Sequence, residues 1–406
     1  MAKPKIRFNG YTEDWEQRKL GEVVKEGILE APLDGNHGEK HPTSDEYVES
    51  GIPFLMASDI HNGEVNIYSC KYITKERAER LDKGFARNGD VLLTHKATIG
   101  ETAILSNLMT EYAMLTPQVT YYRIKNEERL NREYLYSFFN SLDFQTELKT
   151  KAAQSTRPYI GITAQQNLKI ILPSEIDEQR KIGLYFGNLD RLITLHQRKC
   201  EQTKTLKKYM LQKMFPQDGE KVPQIRFEGF TEDWEQRKLG DVFEQTSNLV
   251  NPKEDEIELW SLTVEDGLTK KSDRYNREFL VKKDDNFKEV RPGDIVYNPM
   301  NMTLGAVGYN GMAKSVAVSG YYTTMVAKEN YDTYYINTWL KSPQAIRLYR
   351  TYATGSLIEK QRVQFPTLSI IPVAFPKYEE QTKIGNYFHF LDNLITLHQR
   401  KCMTSR

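Results

Sequence analysis

The chain has 406 residues, 39% of them apolar, which suits two or three domains with cores of their own and excludes a peptide, a fibre or a disordered tail. Lys and Arg number 56 against 55 Asp and Glu, a net charge of +1, so bulk attraction alone does not make this a polyanion-coating protein. A mean hydropathy of −0.63, no long apolar run, an opening Met1-Ala2-Lys3-Pro4-Lys5 and three cysteines (Cys70, Cys200, Cys402) without C-x-x-C spacing predict a cytoplasmic protein with reduced thiols, no membrane segment and no zinc ribbon.

The first element in chain order is Ile6 to Val23, IRFNGYTEDWEQRKLGEV, which returns without gaps at Ile225 to Val242 as IRFEGFTEDWEQRKLGDV with 15 of 18 positions identical. Strands are predicted at Gly89 to Thr94 and Pro117 to Tyr122, and a helix over Asn131 to Ala152. A second repeat starts at Glu178: EQRKIGLYFGNLDRLITLHQRKC, to Cys200, matches EQTKIGNYFHFLDNLITLHQRKC, Glu380 to Cys402, at 18 of 23 positions. Ser174 is placed to cap its helix, with Glu175, Asp177 and Glu178 as first-turn acids. From there Ile182, Leu189, His196, Thr203 and Met210 recur every seven residues with few helix breakers before Pro216, predicting a rod of about 40 residues and roughly 60 Å.

The second half repeats the order. Gly293 to Tyr297 and Ser319 to Thr323 read as strands and Thr333 to Tyr352 as a helix, before the second long helix with its seam at Ile384, Leu391 and His398. The 154 residues between the first repeats (24–177) and the 137 between the second (243–379) share almost no identity. Edges that stay alike around interiors that diverge suggest two different probes on one kind of mount. Domains are expected at 1–174 and 223–376, with spacer helices at 175–222 and 377–406.

Two like seams invite pairing through Ile182, Leu189, Leu192 and Ile193 with Ile384, Leu391, Leu394 and Ile395. Only a short segment, Pro216 to Pro223, follows the first rod, so the second reaches it by running antiparallel. The predicted class is α+β: two mixed α/β modules joined by two long antiparallel helices, a pseudo-twofold dumbbell. His196 and His398 occupy equivalent seam positions and are expected as packed imidazoles rather than metal ligands. Seven basic residues against one acidic between Arg191 and Lys213 fit a solvated helix face.

Each module offers two polar loops at matching points. In the first these hold Thr94, His95, Lys96 and Thr98, then Gln154, Ser155, Thr156 and Arg157; in the second Asn298, Asn301 and Thr303, then Ser356, Lys360, Gln361 and Arg362. Amide and guanidinium groups carry the forked donors and acceptors that distinguish base edges, while Ser, Thr and Lys suit phosphates. No phosphate-binding loop, H-E-x-x-H pair or nucleophile elbow occurs, and Tyr297-Asn298-Pro299-Met300 lacks the second proline and the aromatic of a methyltransferase loop.

The two TEDWEQRKLG strings, the two EQ-x-K-I-G starts ending in LITLHQRKC and the Gly-Asp-Val/Ile strands resemble the specificity subunit of type I restriction–modification systems, the HsdS family, over essentially the whole chain. The resemblance implies target recognition domains that each read half of a split DNA site, helices that set the gap and hold two methyltransferase subunits, and no catalysis by this chain. S-adenosylmethionine, ATP and Mg would belong to the partner methyltransferase and restriction (translocase) subunits. The rival readings are a protein-binding scaffold, a stand-alone DNA-binding regulator and, disfavoured by the missing cofactor loop, a self-sufficient methyltransferase.

Overall fold

The computed structural model describes residues 4, 6–153, 158–217, 219–265, 267–270, 286–355 and 361–404. The chain divides into two compact units between Leu195 and His196. Among the described residues no helix is long and apolar enough to cross a membrane. Cys70, Cys200 and Cys402 form no disulfide.

In the first unit the two repeated segments meet and form a mount. Glu16–Lys19 pairs antiparallel with Lys169–Leu172, and the helix Leu20–Lys25 follows at once, its first turn closed by a 2.9 Å bond from the Lys19 N–H to the Glu22 carboxylate. Leu20 and Val23 are buried in the unit's core. The Arg7 guanidinium forms a forked pair with Glu178 at 2.7 and 2.8 Å, and Trp15 Nε1 donates to the same carboxylate at 3.2 Å. Glu178 is fully buried, so it is a structural anchor in addition to a first-turn acid. Gln179 accepts from the Asn131 N–H at 3.0 Å, tying the start of the long helix to the start of the helix Arg132–Phe139. Ser174 does not cap: its hydroxyl donates to the Asp14 carbonyl at 2.8 Å, and the first long helix runs Ile176–Lys213, about 57 Å at 1.5 Å per residue.

The second unit builds the same mount from its own copies. Glu235–Lys238 pairs with Pro372–Phe375, Arg226 forks onto Glu380 at 2.7 and 2.8 Å, and Gln381 accepts from the Asp332 N–H at 3.0 Å. The Gly of each K-I-G triplet has a packing reason. A Cβ at Gly183 would lie 2.6 Å from the Tyr134 backbone nitrogen, and one at Gly385 would lie 2.8 Å from that of Tyr335. Gly183→Ala should therefore lower the melting temperature, the overpacking cost of about 1–3 kcal/mol exceeding the helix-propensity gain of up to about 1. Gly187→Ala, four residues on, meets nothing within 4 Å and should raise it. Thermal melts of the two variants check the contrast.

The variable parts share a sheet order despite their unlike sequences. In the first, Leu33–Asp34, Val119–Tyr122, Val91–Thr94 and Thr102–Ile104 lie side by side, all antiparallel. In the second the same places are taken by Phe243–Thr246, Thr323–Ala327, Ile295–Tyr297 and Val307–Tyr309. Val91 to Thr94 and Ile295 to Tyr297 are buried along their whole length, as central strands covered on both faces require. A second sheet in the first unit sets Ile52–Leu55 parallel to Ala113–Leu115; in the second unit a further sheet has, among the described residues, the strands Leu249–Val250, Phe287–Val290 and Val316–Ser319.

Three sequence expectations are corrected. Asn131 to Ala152 is two helices, Arg132–Phe139 and Leu142–Ala152, because the Ser141 hydroxyl caps the second by accepting from the Phe144 N–H at 3.4 Å. Thr333 to Tyr352 breaks likewise into Thr333–Leu340 and Pro343–Tyr352, with Ser342 as cap and proline in the first turn. Ser319 to Thr323 is a turn closed by Tyr322 N–H to Ser319 carbonyl at 3.0 Å, with the strands on either side of it.

Within the second unit the end of the first long helix runs antiparallel to the second long helix, Tyr378–Thr404. His196 meets His398 with Nδ1 atoms 3.1 Å apart, Cys200 reaches the Ile395 carbonyl, Lys207 pairs with Asp392 at 2.5 Å and the Phe215 ring stacks on Phe388. One imidazole donates to the other; burial, then the neighbouring His196 and the Lys199 and Lys401 charges, hold the His398 pKa below the usual imidazole value. Of the expected seam positions, Ile384 and Leu391 are buried in the second unit's own core and Ile182 packs against the first unit's core, while Leu192 is exposed and Leu189, Ile193, Leu394 and Ile395 are partly covered. A stripe of period 3.5 states that a face is covered, and here part of that face covers the mount.

Candidate nucleic-acid interface

In each unit the two loops singled out in the sequence are joined by one backbone bond at the same place in the fold. The Ile160 N–H donates to the His95 carbonyl at 3.2 Å in the first, and the Val363 N–H to the Pro299 carbonyl at 3.0 Å in the second. Each first loop is also held onto the helix that follows the break. Gln145 Nε2 donates to the Gly100 carbonyl at 2.8 Å, and Arg350 Nε to the Thr303 carbonyl at 3.2 Å. Gln145 and Arg350 were not among the sequence candidates, since nothing in a helical pattern marks which polar side chain turns back onto a loop.

Placement divides the candidates. Lys96, Thr98, Asn301 and Arg362 are exposed, and Asn298, Thr303 and Gln361 partly so. Thr94 and His95 are fully buried, a correction to their assignment as DNA contacts. The Thr94 hydroxyl accepts from the Glu101 N–H at 3.0 Å and closes the loop at its base. His95 Nδ1 lies 3.0 Å from the Ile160 carbonyl, which pins the second loop to the first. Asn298 Oδ1 accepts from the Met300 N–H at 3.0 Å, shaping its own loop, and Arg362 is bridged through its backbone to Thr354. Gln154, Ser155, Thr156, Arg157, Ser356 and Lys360 lie outside the described residues.

Behind the first unit's loop sits a polar cluster. Asp34 is buried, ion-paired to Lys83, 3.0 Å from His37 Nε2 and 3.9 Å from His95 Nε2. Burial raises the Asp34 carboxyl, and the Lys83 and His37 donors outweigh it, leaving its pKa below the usual value. Burial lowers His95 to about 4 against the partial opposition of Asp34, so the ring is neutral at pH 7 and donates from Nδ1. A histidine depressed in the folded state binds fewer protons there than when unfolded. Its stability contribution is complete above pH 6.5 and is lost as pH falls towards 4, by at most about 3 kcal/mol. His95→Gln, which keeps a donor and removes the titration, should flatten the fall in melting temperature between pH 7 and pH 5.

The family model described as the type I restriction modification DNA specificity domain matches residues 12–205 and 231–402, and the chain belongs to that family. Among curated relatives, the type I restriction enzyme MjaVIII specificity subunit of Methanocaldococcus jannaschii is 26% identical over 203 residues, covering 49% of this chain and 45% of the relative. The MjaIX specificity subunit of the same organism is 26% identical, over 61% of this chain and 58% of the relative, so these matches span about half of the relatives' length. A third, the putative MjaX specificity subunit, is 22% identical over 98% of this chain and 91% of its own length. Among solved structures, a type I restriction-modification S subunit from M. genitalium shares the fold at a TM-score of 0.65 and 13% identity, covering 100% of this chain and 96% of that one.

Proposed function

We propose that this chain is the DNA-reading subunit of a type I restriction–modification complex, in which each variable unit reads one half of an asymmetric, split DNA site. The observation that carries the reading is the matched pair of joined loops, at the end of the same central strand and on the same mount, with unlike sequences. Lys96 and Thr98 in the first unit, and Asn301 and Arg362 in the second, present a mixture of phosphate-binding and base-reading groups to solvent. The paired long helices act as the ruler and as the seat of two methyltransferase subunits. The chain itself is non-catalytic: S-adenosylmethionine, ATP and Mg act in the partner methyltransferase and restriction subunits. With a net charge of +1, its own affinity for double-stranded DNA is weak, and partners that enclose the duplex supply the remaining contacts.

Mapping of modified adenines in genomes with and without the gene tests this. One split motif with two unlike halves should disappear with the gene; an unchanged modification pattern would refute the reading.

A further inference from the structure

The two units present unlike side chains at the same end of the same sheet. In the second unit Tyr297 stands opposite Thr323, so the loop after Ile295–Tyr297 and the turn before Thr323–Ala327 leave the sheet together. Three large side chains with apolar faces are exposed there: Met300 is 51% exposed, Leu304 56% and Tyr321 88%. In the first unit Thr94 stands opposite Val119, and the corresponding segments expose Lys96, Ala97 and Thr98, with Pro117 and Gln118 partly exposed. The large apolar residue of that loop, Ile99, packs against the core, and the exposed ring nearby, Tyr159, belongs to the second loop.

In the second unit the exposure is fixed by the backbone. The Asn298 N–H donates to the Ala306 carbonyl at 3.0 Å, the Ala306 N–H to the Asn301 carbonyl at 3.1 Å, and the Gly305 N–H closes the short helix Met302–Leu304 on the Met302 carbonyl at 2.9 Å. Met302 itself fills the core. With the loop closed around that anchor, Met300 and Leu304 stay in solvent. The turn is held likewise: Lys288 Nζ donates to the Tyr322 carbonyl at 2.7 Å, and Tyr322 packs on Val290, Val296, Val316 and Val318, which leaves Tyr321 outside.

Base edges in the major groove offer one apolar feature, the C5 methyl of thymine; their other contact points are hydrogen-bond donors and acceptors. We propose that Met300, Leu304 and Tyr321 read thymine methyl groups, so that the half-site of the second unit contains thymine at the positions they meet. This rests on the assignment of the two units as DNA readers and adds a chemical preference to one of them.

The probe is a duplex carrying the split motif, titrated with this chain assembled with its methyltransferase subunits and followed by anisotropy at one salt concentration. Deoxyuridine in place of thymine removes the methyl group and nothing else. The second unit's half is the one that stays constant when residues 24–177 are exchanged. Deoxyuridine throughout that half should weaken binding at least about fourfold, the transfer equivalent of one methyl-sized group. This comparison uses the unaltered chain and needs no variant to fold. A chain with Met300→Ala, Leu304→Ala and Tyr321→Ala should bind the thymine duplex more weakly by the same factor or more. It should no longer distinguish thymine from deoxyuridine in that half, and its response to deoxyuridine in the other half should be unchanged. Equal affinity of the unaltered complex for the two duplexes would overturn the proposal, as would a deoxyuridine penalty that persists undiminished in the variant. A complex that failed to bind even the thymine duplex would overturn the DNA-reading assignment beneath it as well.

Discussion

Phe388→Ala should destabilise the second unit by about 3–5 kcal/mol, whereas Phe186→Ala, the same substitution at the same repeat position, should cost under about 1 kcal/mol. The two residues lie in one 23-residue repeat and differ only in their surroundings. Phe388 is fully buried against Phe215, and truncating it removes an aromatic stack and opens a cavity beside Trp234 and Tyr335. Phe186 is half exposed, and its truncation returns little surface to water. Phe215→Ala should reproduce the larger loss, because it removes the other half of the stack. Urea unfolding of the three variants, fitted with a separate transition for each unit, gives the comparison. Equal losses for Phe186→Ala and Phe388→Ala would contradict the difference in burial between the two positions.

The second large effect concerns spacing. Four residues inserted after Gln197 in the first long helix, matched by four after Thr396 in the second, add one turn, about 6 Å, while His196 and His398 and the Lys207–Asp392 pair keep their own registers on either side of the insertions. If the helices are a ruler, the unspecified gap in the modified DNA sequence should lengthen by about one or two base pairs at 3.4 Å each, with both specified halves unchanged. A gap of unchanged length would show that something other than the helices sets it.

Much of this was legible in the sequence because exact repetition is a signal independent of propensity. The 18- and 23-residue repeats marked the mounts, and their constant residues now have reasons: Arg7 with Glu178 and Arg226 with Glu380 for the ion pairs, Gln179 and Gln381 for the backbone caps, Gly183 and Gly385 for the close approach of a helix N-terminus. The strands at Val91 and Ile295 were legible from continuous apolar runs. Side-chain destinations were less so. Ser174 has a cap's identity and position, yet a nearby carbonyl of Asp14, 160 residues away in sequence, takes its hydroxyl. Thr94 and His95 are polar residues at a strand end, which reads as a loop surface, and the fold turns both inward, where the Glu101 N–H meets the Thr94 hydroxyl and the Ile160 carbonyl meets His95 Nδ1. Ile182, Ile384 and Leu391 keep the heptad spacing while facing their units' cores, since spacing alone does not name the surface that a stripe meets.

The account rests on two unlike readers carried by equivalent mounts, and exchanging one reader tests it most directly. Residues 24–177 are replaced by the corresponding stretch of a relative with a different specificity, and modified adenines are mapped across the genome. One half of the split motif should change while the other half and the gap length stay the same; a change in both halves, or in neither, would contradict it.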